Sequence, residues 1–108
     1  MDYTSAATLM DNIESSSLES LRRGLFATAV RYSGIRAKWY LGSPDGRRSM
    51  DADRTRAHDA FIDACNILSR NQAKNGEDNT WRAKLGDDRK VIGDFACYVH
   101  CILGVRAR

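Results

Sequence analysis

The chain has 108 residues, 43% of them hydrophobic and 29% charged, with a net charge of +3. That length holds one domain core, residues 1–108 forming a single unit, and the balance points to a globular chain rather than a disordered or membrane-bound one. So small a net charge selects no class of partner by itself.

The opening residues, Met1-Asp2-Tyr3-Thr4-Ser5, lack the basic stretch of a secretion signal, which points to the cytoplasm. Residues 1–21 hold Asp2, Asp11, Glu14 and Glu19 and no basic residue. Residues 22–58 hold nine basic residues against Asp45, Asp51 and Asp53. Such an asymmetry steers an anionic partner or simply marks solvated helix faces. A short helix fits residues 6–13. A long one is predicted after Ser15-Ser16-Ser17, with Ser16 or Ser17 as N-cap. Leu18, Leu21, Leu25, Ala29, Tyr32 and Trp39 share one face of it, and Arg23, Arg31 and Lys38 the other. Arg36 falls on the apolar stripe. Either Ser33-Gly34 bends the helix and re-aims the chain, or Arg36 has an acidic partner.

Gly42-Ser43-Pro44-Asp45-Gly46 reads as a loop around the only proline, and residues 75–79 as a second loop. Between them a helix is predicted over residues 50–74, capped by Ser49 or Asp51, with Ala57, Phe61, Ala64, Cys65 and Leu68 inward. A third helix over residues 87–104 carries Val91, Ile92, Phe95, Ala96, Tyr98, Val99, Ile102 and Leu103. These cover about half its circumference, so it is expected to stand at the centre of the bundle. The fold class is therefore all-α, a single-domain bundle of three main helices, with room for a short N-terminal fourth.

Cys65, Cys97 and Cys101 read as reduced, buried thiols. Cys97, His100 and Cys101 look like a metal cluster in text, but His100 is expected to point toward the polar face of its helix, so no metal site is assigned. No cofactor-binding loop, nucleophile elbow or paired-histidine motif is present, and no catalytic residue is assigned. Arg54 and His58 stand one helical turn apart at the border of an apolar face, where they could hold a phosphate or pair a general acid with a charge stabiliser. The alternative is a half-buried histidine bonded to a neighbouring element. Arg47 and Arg48, leading into a helix, suit an anion. With Arg36, Trp39, Arg54 and His58 they make up the candidate anion or nucleic-acid site. No helix-turn-helix spacing accompanies them, and Trp39 equally suits a core or hinge.

The segment DRTRAHDAFIDACNILSR (53–70), with GDFA at 93–96, resembles small helical proteins of unknown function from Gram-positive bacteria and their mobile elements. The resemblance covers about half of the chain and implies a bacterial, cytoplasmic origin without an activity to transfer. The leading expectation is a non-catalytic module that works through a protein partner or self-association. Nucleic-acid binding through the basic middle is the alternative, and hydrolysis using Arg54 and His58 a further one. No cofactor and no membrane are expected.

Overall fold

The computed structural model describes residues 18–106, among them four helices and no strand. These are α1 (Glu19–Leu41), α2 (Pro44–Lys74), α3 (Thr80–Leu85) and α4 (Arg89–Arg106). The chain is all-α, with three main helices and one of six residues. The helix expected over 6–13 and the capping Ser16 and Ser17 lie outside the described residues. Within those residues no helix is long and apolar enough to cross a membrane.

Helix α1 runs unbroken through Ser33 and Gly34. Helix α2 begins six residues earlier than expected. Pro44 occupies its first turn, where its missing N–H costs nothing, and the Ser43 side chain accepts from the Gly46 N–H at 3.1 Å. The cap is thus Ser43, not Ser49 or Asp51, and the loop shrinks to Gly42-Ser43. Proline and glycine read as breakers there, but both are tolerated in the first turn, which needs no inward hydrogen bonds. Asp88 starts α4 by accepting from the N–H groups of Lys90 and Val91 at 2.9 and 3.2 Å. Gly76 and Gly86, with φ of 71° and 65°, take positive-φ conformations that suit glycine at the ends of α2 and α3.

Helix α1, not α4, occupies the centre, packing against both α2 and α4. Both neighbours run antiparallel to it. Tyr32 meets His58 and Trp39 meets Asp51 along α2. Along α4, Arg36 meets Asp94 while Phe26 meets His100. The stripe of α4 is wide because Val91, Tyr98 and Ile102 flank the core without being enclosed by it. Helix α1 buries Ala29, Ser33 and Arg22 instead, which a count of large apolar residues does not register.

The core gathers Leu25, Ala29 and Tyr32 from α1, Ala57, Phe61, Cys65 and Leu68 from α2, and Ile92, Phe95, Ala96 and Val99 from α4. Helix α3 closes one end. Its Trp81 stacks on Phe95 at 5.7 Å between ring centroids and donates to Gln72 Oε1 at 2.7 Å. At the same end α2 outruns the N-terminus of α1, and the turn at Gly76 brings Glu77 back to ion-pair with Arg22, which is 1% exposed.

Candidate functional site

The expected site residues separate into four places. Trp39, Arg47 and Arg54 come together where α1 hands over to α2. The Arg54 guanidinium stands 4.1 Å from the centre of the Trp39 ring and that of Arg47 stands 4.8 Å from it. Both distances give cation–π attraction. Asp51 accepts from Trp39 Nε1 at 3.0 Å and pairs with Arg54 at 3.7 Å. Arg47 donates from Nε to the Trp39 carbonyl at 2.9 Å and from Nη2 to the Tyr40 carbonyl at 3.0 Å. Those carbonyls end α1, where Gly42 N–H also reaches the Trp39 carbonyl at 3.3 Å, so Arg47 helps close the helix C-terminus as well as stacking.

Arg36 lies elsewhere, between α1 and α4. It bonds Asp94 Oδ1 at 3.0 Å and Cys97 Sγ at 3.7 Å, with the Tyr40 ring 5.4 Å away. Burial opposes its charge, but the bonds to Cys97 and Asp94 outweigh that and hold its pKa above the ordinary value. Likewise burial of Asp94 is outweighed by hydrogen bonds from Arg36 and Lys90, which keep its carboxyl below the usual range. The conflict posed by Arg36 is thus resolved by pairing, with the helix continuous through Gly34. Arg48 is isolated from all of these, exposed and paired with Asp45 three residues before it.

His58 sits one turn beyond Arg54. Its ring packs edge-on against Tyr32 at 5.4 Å, and Nδ1 lies 3.1 Å from Asp59 Oδ1. Nε2 of His58 and Nε of Arg54 are both enclosed and have no hydrogen-bond partner among the described residues. Arg54 turns toward Trp39 and His58 toward Tyr32.

The cysteines do not share one environment. Cys65 is buried, Cys97 half-buried and Cys101 exposed, so burial at all three positions does not hold. Burial pushes the Cys65 thiol up to about 12, with Arg82 opposing. His100 faces α1 rather than the polar side, its Nδ1 2.8 Å from Ser33 Oγ and its ring against Phe26. Among the described residues no group of three or more His, Cys, Asp or Glu is placed to hold a metal.

Concave regions lie elsewhere among the described residues. A polar depression of about 590 Å³ is bounded by Asn66, Ser69, Asn79, Arg82 and Asp87. Its one cation is committed, since Arg82 donates to Asn66 Oδ1 at 2.7 Å and to the Gly86 carbonyl at 3.0 Å. Another, of about 340 Å³, is a mostly apolar groove along the α1–α2 seam, where Leu21, Gly24 and Thr28 face Ala60, Ala64 and Ile67, with Ser20 and the exposed Asp63 also lining it. Its floor is made of small residues, so a helix backbone can approach closely, and a Cβ added at Gly24 would meet nothing within 4 Å. Ile67 stands at its edge, 40% exposed. Periodicity assigns Leu21 and Ala64 to the core face, but they only flank it; Ile67, Gly24 and Ala60 carried no signal. Comparison with known protein families, with curated proteins and with solved structures found no significant match.

Proposed function

We propose that this protein is a non-catalytic interaction module that receives an amphipathic helix in the α1–α2 groove. The observation that carries the reading is the groove itself: a small-residue floor, two turns long on each helix, with Leu21 and Ile67 as apolar walls. Helix-in-groove recognition uses anchors at i, i+3, i+4 and i+7, which is the length of apolar stripe that two turns can hold. The basic middle offers less to an anion. Arg22, Arg36, Arg47 and Arg54 there are each already engaged, with Glu77, Asp94, the end of α1 and Asp51. The resemblance of residues 53–70 to small bacterial proteins supports placing the module in a bacterial cytoplasm.

The test is Ala64→Arg in the full chain, expressed with a tag in the cells it comes from. The half-buried Ala64 borders the groove, so helicity should persist while whatever co-purifies with the wild type is lost. Retention of the same partners by a folded Ala64→Arg protein contradicts the reading.

A further inference from the structure

We infer that the outward face of α2 is a self-association surface whose occupant is the α2 of a second copy of this chain, lying antiparallel across a two-fold axis; the surface borders the groove and is separate from it. The observation behind it is an ordered stripe of charge. At 3.6 residues per turn, Asp59, Asp63, Ile67, Arg70 and Lys74 fall within about 80° of arc, on the side of α2 opposite Ala57, Phe61, Cys65 and Leu68. All five are exposed. The stripe is acidic in its first half, basic in its second, and apolar at its middle, where Ile67 is 40% exposed.

Pairing within the chain does not account for that order. Earlier in α2 the charges pair along the helix: Asp45 with Arg48, Asp51 with Arg54 and Asp53 with Arg56. On the stripe, a spacing of four sets like beside like, Asp59 by Asp63 and Arg70 by Lys74, an arrangement that weakens a helix. Asp63, Arg70 and Lys74 have no ion-pair partner among the described residues, and Asp59 meets the His58 ring at 3.1 Å. The helix dipole favours Arg70 and Lys74 near the C-terminus, but Asp59 and Asp63 stand about four turns or more from the N-terminus, beyond its reach.

A second copy accounts for it. Antiparallel packing centred between residues 66 and 67 sets Asp63 against the second copy's Arg70 and Asp59 against its Lys74. Symmetry repeats both contacts, and the two Ile67 side chains meet beside the axis. A parallel pair would set acid on acid and base on base. The remaining charges on that side agree: Arg56 falls level with the turn that carries the exposed Asp78, while Glu77 turns inward onto Arg22. A helix face about 22 Å long, held by exposed ion pairs, gives a weak, salt-sensitive dimer. The two-fold axis carries each flank onto the same side, so pairing sets the two grooves, whose linings include Asp63 and Ile67, side by side.

The experiment measures self-association of the purified full chain by sedimentation equilibrium. It compares wild type, Asp59→Lys with Asp63→Lys, Arg70→Glu with Lys74→Glu, and the two double variants mixed in equal amounts. Wild type is expected to dimerise at 0.1 M salt and about tenfold more weakly at 1 M. Each double variant alone should dimerise at least about tenfold more weakly than wild type, and the mixture should recover a heterodimer at least as tight, which also shows that both variants fold. Asp63→Asn, which keeps the side chain's size, should weaken the dimer about threefold or more by removing two symmetry-related pairs. A wild type that stays monomeric up to about 1 mM, a dimer unmoved by Asp63→Asn or by both double variants, or a mixture of folded variants that stays monomeric overturns the inference. Linked copies and partner adducts differ in mass, so none of these results touches the partner-binding reading, which fails instead if Ala64→Arg leaves the partners in place.

Discussion

The Arg36 guanidinium lies against the backbone of Gly93, so closely that a Cβ there would stand 2.6 Å from Nε and 2.8 Å from Cζ. Glycine in a helix interior normally costs about 1 kcal/mol relative to alanine. At Gly93 that cost purchases room for the bridge from Arg36 to Asp94. Gly93→Ala should therefore destabilise the protein by about 1 kcal/mol despite its better propensity, because Arg36 must leave its partner. Gly34→Ala, in α1 with nothing within 4 Å of the new Cβ, should stabilise by about 0.5–1 kcal/mol. Urea unfolding of the two variants reads the opposite signs.

The same bridge has a pH signature. The folded pKa of Asp94 is depressed, so its stabilisation is present above the unfolded value of about 3.9 and is lost as pH falls through the lower folded value. Asp94→Asn should flatten the acid limb of the stability curve, checked by thermal melts at successive pH.

Arg22 and Glu77 form the pair that locks the far end of the bundle, with Arg22 enclosed and two of its nitrogens, Nε and Nη1, without partners among the described residues. Glu77→Ala leaves a buried charge uncompensated and should cost about 3 kcal/mol. Arg22→Met, which removes the charge and keeps the volume, should cost less than Glu77→Ala. Chemical denaturation of both variants gives the ranking directly.

The helices were legible in the sequence because α2 and α4 bury what their periodicity shows: Ala57, Phe61, Cys65 and Leu68, then Ile92, Phe95 and Val99. Helix α3 was not, since six residues are too few to display a period, although Trp81 is its anchor. Arg22 and Gln72 were also illegible, being polar side chains that go inside only because Glu77 and Trp81 meet them there. Of the candidate site, spacing placed Arg54 and His58 on one side of a helix, but neither could reveal that Trp39 would claim Arg54. The groove escaped notice because a surface made of Gly24, Ala60 and Ala64 is defined by what those residues lack.

Cys65 and Cys101 should differ sharply in chemistry. Native protein should react with iodoacetamide at Cys101 and spare Cys65 until unfolding, as mapped by mass spectrometry. The Cys65 thiol is pushed up to about 12 in the fold, against about 8.5 in the unfolded chain. Its stabilising contribution is thus full below about pH 8.5 and declines as pH rises toward the folded value. Cys65→Ala should lower stability at neutral pH and lessen the alkaline decline.

Arg47 and Arg48 are neighbours in sequence with different work. Arg47→Ala removes two hydrogen bonds to the end of α1 and the stack on Trp39, a loss of about 1–2 kcal/mol. Arg48→Ala breaks an exposed pair and should change stability by less than about 0.5 kcal/mol. If the basic middle held nucleic acid, Arg48→Ala would weaken low-salt DNA binding and reduce its salt dependence. The expected result is no such binding in wild type or variant.

The most direct test of the groove as the interaction surface is photo-crosslinking inside the cells of origin, with the reactive residue at position 67 and, for comparison, at Lys90 on α4. Discrete adducts with another protein at position 67, absent at position 90 and abolished by Ala64→Arg, are what the groove predicts. Equal adducts at both positions, or adducts at position 67 that survive Ala64→Arg, would contradict it.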